Sequence, residues 1–264
     1  MEDVQSRRDD RQIPIDQVGV ADLRCPIVVF DRAQERQQTV ATFSMSVSLP
    51  HHFKGTHMSR FVELLNEHRG EMTMRTLRQV LQELKSRLVA EKARIEVAFP
   101  YFVERHAPVT KASAVMDYEC RFIGESNGSR DDFILEVTVP VTSLCPCSKS
   151  ISKYGGHNQR GYITIAVRSV PAVDGRPELI WIEELIEVAE KAASAPVYPI
   201  LKRPDEKFVT EQAYDNPMFV EDMTRNVAAS LRADGRVAWF HVRVENHESI
   251  HNHSVFAELE WQRR

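Results

Sequence analysis

Residues 145–160 read CPCSKSISKYGGHNQR and place two of the chain's four cysteines one residue apart, with His157 ten positions after Cys147. Two thiols and a nearby imidazole suit a borderline-soft divalent metal such as zinc, whose ligands are thiolate, imidazole and carboxylate. A redox dithiol is a second reading, although it lacks the usual two intervening residues. Ordinary packing is the third. If the strand running through Val141 continues, Cys145 and Cys147 share its parity and point to one face. Pro146 cannot donate to a sheet ladder, which puts the pair where pairing ends. Lys149, Lys153 and Arg160 add positive charge to the same segment, as a phosphate-bearing substrate would require.

Two further clusters carry chemistry. ENHESIHNHS, residues 245–254, gathers Glu245, Glu248, His247, His251 and His253 between two expected strands. Such groups suit proton transfer or metal binding near neutrality, and a solvated polar turn is the alternative. LKRPDEKFVTEQAYDNPMFVED, residues 201–222, sets Lys202, Arg203 and Lys207 around Asp205 and Glu206, where a solvated charged loop is the plain reading. Glu221 falls off the stripe of Val220 and Met223 and reads as an exposed helix residue.

The elements that must position these groups follow from periodicity. Phe43, Met45, Val47 and Leu49 alternate with polar residues, as in a half-buried strand. Helices are expected over 56–68 and again where Leu77, Val80, Leu81, Leu84 and Leu88 recur at spacings of three and four. RIEVAFPYFVER and AVMDYECRFIGE read as returning strands, with a turn over 124–129. Leu135, Val137, Val139 and Val141 then alternate into the cysteine segment, and GYITIAVRSV supplies the next strand. VPAVDGRPE is a loop. Helical spacing resumes through Leu185, Val188, Ala189 and Ala192, and again after Asn216, read as an N-cap followed by Pro217 at the first helical position. Phe240, Val242 and Val244, then Val255, Ala257, Leu259 and Trp261, form the last strands. Both halves thus read strand, strand, helix, helix, strand, strand, a duplicated α+β unit. The expected boundaries are a flexible arm over 1–22, a first module over 23–129 and a second over 130–264, which carries most of the candidate site.

Composition bounds the function class. A chain of 264 residues with 42% hydrophobic and 27% charged residues is long enough for a substantial core and has the balance of a soluble globular protein. Its net charge of -4 gives no general reason to expect nucleic-acid or membrane binding. The N-terminus mixes both charge signs, and a cytoplasmic protein without a disulfide framework is expected. Cys25 and Cys120 read as core or interface residues.

VPVTSLCPCSKSISKYGGHNQR, LKRPDEKFVTEQAYDNPMFVEDM and ESIHNHS, together with GTHMSRFVELL, resemble the type IB GTP cyclohydrolases over about residues 16–261. The resemblance implies a tandemly duplicated tunnelling fold, each module a four-stranded antiparallel sheet with two helices, assembling into β-barrels as a homotetramer. It implies conversion of GTP and water to 7,8-dihydroneopterin triphosphate and formate in tetrahydrofolate biosynthesis. By the same resemblance Cys145, His157 and Glu206 hold one divalent ion, Zn²⁺, Mn²⁺ or Fe²⁺, and Cys147 is a catalytic thiol, although the two cysteines could exchange roles. Glu221 anchors the purine, Glu248 and His251 transfer protons, and Lys149, Lys153, Arg160, Lys202 and Arg203 are candidates for the triphosphate. A nitrile reductase of the same superfamily and a pterin- or purine-binding scaffold are the competing readings. The first needs no metal, and the second would have a closed site.

Overall fold

The structure is a computed structural model that describes residues 4–5, 7–68, 70, 72–128, 130–171 and 178–263. Its strands are joined in the order β1-β2-β3-β4-β5-β6-β8-β9, with β7 paired to β5. The chain divides into two compact units, residues 1–100 with 121–135, and residues 101–120 with 136–264.

In the first unit β1 (Ile15–Asp31) pairs antiparallel with β2 (Glu35–Leu49), and β2 with the start of β3 (Lys92–His106). The alternation of β2 puts Phe43, Met45, Val47 and Leu49 inside. Residues 15–22, expected in the N-terminal arm, form the opening of β1, where Val18, Gly19 and Val20 pair with Val47, Ser46 and Met45. A Cβ on Gly19 would collide with the carbonyl oxygen of Met45, so the register there requires glycine. α1 (Met58–Glu67) and α2 (Met74–Leu88) then bury Phe61 and Leu64, and Leu77, Val80, Leu81 and Leu84. Thr73 caps α2 reciprocally: its hydroxyl accepts from Thr76 N at 3.4 Å while its own N–H donates to Thr76 Oγ1 at 2.8 Å. Such a cap stabilises a helix by about 1 kcal/mol. β4 (Ser113–Asn127) takes in the residues expected to turn at 124–127, and the turn itself narrows to Gly128 at φ 60°.

The second unit holds β5 (Arg130–Leu144) from residue 136 onward, β6 (Asn158–Ser169), β8 (Val237–His247) and β9 (Val255–Gln262), with β6–β8 and β8–β9 antiparallel. Val137, Val139, Val141, Ile163, Ile165, Phe240, Val242 and Val244 point inward. They meet Leu185, Ile186 and Ala189 of α4 (Ile182–Ala192) and Met223, Val227 and Leu231 of α6 (Val220–Ala233).

Four details differ from the periodicity. The strand ends at Leu144 and does not carry Cys145 and Cys147 on one face; α3 (Pro146–Ile151) intervenes, because proline lacks an N–H for the ladder but fits the first helical position. α5 (Arg203–Asp215) occupies the stretch read as a charged loop, its only buried residues Asp205 and Ala213. Asn216 closes α5 rather than opening α6, whose N-cap is Phe219; the Asn216 amide donates to Ala193 O and Ser194 O at 3.0 and 3.3 Å. A two-residue strand, β7 (Ala195–Pro196), pairs with Val141 and Thr142. The VPAVDGRPE loop falls largely outside the described residues.

Candidate active site

Three strand ends of the second unit converge on one polar cluster. The backbone N–H of Cys145, just beyond β5, donates to His157 O at 3.1 Å, so the cysteine segment and the histidine are tied together. Cys145 caps α3, its sulfur accepting a long 3.5 Å contact from Ser148 N, and the Ser148 hydroxyl accepts from His157 N at 3.0 Å. His157 Nδ1 lies 2.7 Å from Gln159 Oε1 and 3.5 Å from Glu248 Oε2. The side chains of His157 and Glu248 are 12% and 10% exposed, shielded enough for their contact to resist screening. Gln159 Nε2 and Asn246 Nδ2 both donate to Ser143 Oγ, at 3.4 and 2.9 Å, and the Ser143 hydroxyl donates to Met218 O at 3.3 Å.

The loop between α3 and His157 is clamped by α5. Tyr214 OH donates to Tyr154 O at 3.2 Å, and Lys149 Nζ donates to Tyr214 O and lies 5.8 Å from the Tyr214 ring centre. Gly155 has φ 106°, and a side chain there would overlap the Tyr214 ring, so glycine is required twice over.

Cys147 is exposed on α3, and Lys153 and Arg160 are exposed. Glu221 is exposed in the first turn of α6 and makes no hydrogen bond or ion pair among the described residues, whereas its neighbour Asp222 is spent on accepting from Phe219 N at 3.3 Å. His251 is exposed, with its ring 5.0 Å from that of His253. Lys202 and Arg203 open α5, and Glu206 is exposed in its first turn. Cys25 and Cys120 are buried, as read from the sequence, and burial pushes the Cys120 thiol well up, which suits packing rather than nucleophilic work.

Whether these residues fit a divalent ion divides in two. Cys145 and His157 offer soft and borderline donors joined through the backbone, and a histidine that engages one ring nitrogen with protein acceptors keeps the other for a cation. Glu206 is not gathered with them, and no set of three histidine, cysteine or acidic side chains converges among the described residues.

The residue that the sequence concealed is Asp205. It is fully buried and accepts from Val109 N and Thr110 N at 2.8 Å, Thr110 Oγ1 at 2.6 Å and Lys202 N at 2.9 Å. Desolvation works to raise its pKa, but these four donors prevail and hold the carboxyl well below the usual range. Between the depressed pKa and about pH 4, folding therefore strips a proton that the unfolded chain retains, so the stabilisation is complete above about pH 4 and is lost as pH falls toward the depressed pKa. Asp205→Asn, which turns an NH₂ toward these donors, is expected to lower Tm at pH 7, with a gap to the parent chain that narrows below about pH 4. Thermal melts at pH 7 and pH 3 check this, and a gap independent of pH would refute it.

No helix among the described residues is long and apolar enough to cross a membrane. In fold the chain is similar to solved uricases. The enzyme from Bacillus fastidious matches at TM-score 0.58 with 7% identity, covering 93% of each chain. That from Arthrobacter globiformis matches at 0.53 with 10% identity, covering 94% of this chain and 93% of the other. At such identity the likeness speaks to fold alone, and the fold is the α+β tunnelling fold. Sequence relationships reach further. The chain is 55% identical to GTP cyclohydrolase FolE2 of Nitrosococcus oceani over 98% of its own length and 95% of the relative's. It is 54% identical to that of Syntrophotalea carbinolica, over 100% and 96%. The profile described as type I GTP cyclohydrolase folE2 matches residues 1–257, and the chain belongs to that family.

Proposed function

We propose that the chain acts as a GTP cyclohydrolase of the kind named IB from its motifs, converting GTP and water to 7,8-dihydroneopterin triphosphate and formate in the first step of tetrahydrofolate biosynthesis. The observation that carries this reading is the full-length relationship to cyclohydrolases, and the polar cluster around His157 supplies chemical means. Cys145 and His157 would hold one divalent ion, Zn²⁺, Mn²⁺ or Fe²⁺, with Glu206, which stands apart from them on α5, as the third donor that the resemblance assigns. When bound, such an ion lowers the pKa of a coordinated water toward about 7, giving hydroxide at neutral pH.

The chain's own groups do the rest. Glu221, exposed and uncommitted, accepts from N1–H and the 2-amino group of guanine, a pair of donors that adenine lacks. Cys147, exposed on α3, presents its thiol at carbon 8. Glu248, held at His157, moves the proton as the five-membered ring opens, and His251 serves the later rearrangement. Lys153, Arg160, Lys202 and Arg203 face solvent and bind the triphosphate; Lys149 belongs to the same group, with part of its donor capacity used by Tyr214. We propose further that the protein is a homotetramer closed into β-barrels. Strands β1 and β9 end the pairing order, and the parts of such edges that no neighbour covers are templates for another copy; on β1, Val28 is already bonded to Gly70 and Met72.

The test is to incubate anaerobically purified protein with GTP and each of Zn²⁺, Mn²⁺ and Fe²⁺, oxidise, and read neopterin fluorescence. A metal-dependent signal with GTP and none with ATP is expected. Absence of signal with every metal, in a folded and reduced sample, overturns the reading.

A further inference from the structure

We infer that Gln159 is a positioning residue which, oriented by Ser143, holds His157 as its Nδ1–H tautomer and leaves the Nε2 lone pair free for the reaction. Ser143 is fully buried and its hydroxyl has one proton and three polar neighbours: Met218 O at 3.3 Å, the Asn246 amide at 2.9 Å and the Gln159 amide at 3.4 Å. A backbone carbonyl can only accept, so the proton goes to Met218. Both side-chain amides must then turn their NH₂ groups to Ser143. Gln159, 8% exposed, is thereby obliged to present Oε1 to His157 Nδ1 at 2.7 Å. The second neighbour of that nitrogen, Glu248 Oε2 at 3.5 Å, is a carboxylate oxygen. With acceptors on both sides, Nδ1 carries the hydrogen.

The alternative orientation fails the same count. A reversed Gln159 would present its oxygen to Ser143, whose single proton would have to serve two acceptors, and would face Nδ1 with N–H groups while Glu248 lost its donor. The cost of the chosen polarity is visible at Asn246. It is 2% exposed, and with its NH₂ committed to Ser143 its Oδ1 has no hydrogen-bond partner among the described residues. Gly161 makes room for that oxygen, since a Cβ there would lie 2.5 Å from it.

What the Nε2 lone pair does, taking a proton or binding a cation, rests on the function proposed above; the tautomer rests on the cluster alone. The experiment is long-range ¹H–¹⁵N correlation on ¹⁵N-histidine-labelled full-length protein, loaded with Zn²⁺ and again after chelation. The His157 signals are identified by their loss in His157→Asn. The parent chain is expected to show Nδ1–H in both samples. Gln159→Met, similar in length but without an acceptor at that point, is expected to shift the chelated sample toward the Nε2–H form that unconstrained histidine favours. An Nε2–H signal in the parent chain, or an unchanged tautomer in Gln159→Met, overturns the inference. Should Gln159→Met not fold, Ser143→Ala, which frees the Gln159 amide to turn, is judged by the same criterion. A chain that shows Nδ1–H yet turns over no GTP would sink the proposed function and leave this inference standing.

Discussion

Glu221→Gln is expected to lower kcat/KM for GTP by up to about 10⁴-fold, the scale reached when a bound substrate seals a polar pair from water and one partner is wrong. The reason is geometric. A carboxylate offers two acceptors to two parallel donors of guanine; the amide replaces one acceptor with a donor that meets N–H head-on. The fold has little stake in the change. Glu221 is exposed and has no partner among the described residues, and the capping of α6 is done by Asp222, so the substitution gives up only a favourable charge near a helix N-terminus, worth at most about 1 kcal/mol. Steady-state rates with GTP, set beside a thermal melt, therefore separate recognition from stability. Turnover within tenfold of the parent chain would show that the purine is recognised elsewhere.

Glu248→Gln is expected to reduce kcat by about 10²- to 10⁴-fold, the range for losing a positioned proton-transfer group. Shape is preserved, and Gln159 still accepts from His157 Nδ1, so KM should change little. Single-turnover rates of formate release are the direct measurement. A variant with the parent rate would reduce Glu248 to a partner that orients His157. The choice of Glu248 over His251 as the group with the larger effect comes from placement. Glu248 is nine-tenths buried against His157, whereas His251 is exposed and stacked on His253.

Much of the architecture was legible because burial on a sheet obeys a period of two. Phe43 to Leu49, Val137 to Val141 and Phe240 to Val244 each declare their inward face without any knowledge of partners. The same parity held a signal that went unread. Ser143, Gln159 and Asn246 sit at inward positions near the ends of strands otherwise lined with valine and isoleucine, and polar residues at such positions must find one another. α5 was illegible for the opposite reason: Phe208 is exposed and hardly anything on the helix is buried, so no apolar stripe marks it.

The family and the strand faces could be read without coordinates, since these depend on residue type and spacing along the chain. It took the folded chain to show that Pro146 begins a helix and separates Cys145 from Cys147, that Asn216 closes one helix rather than opening the next, and that Asp205 rather than Glu206 is the buried carboxylate in the first turn of α5. Each of those outcomes turns on hydrogen-bond partners far along the chain, such as Thr110 for Asp205 and Ala193 for Asn216, and a donor that distant leaves no periodicity to read.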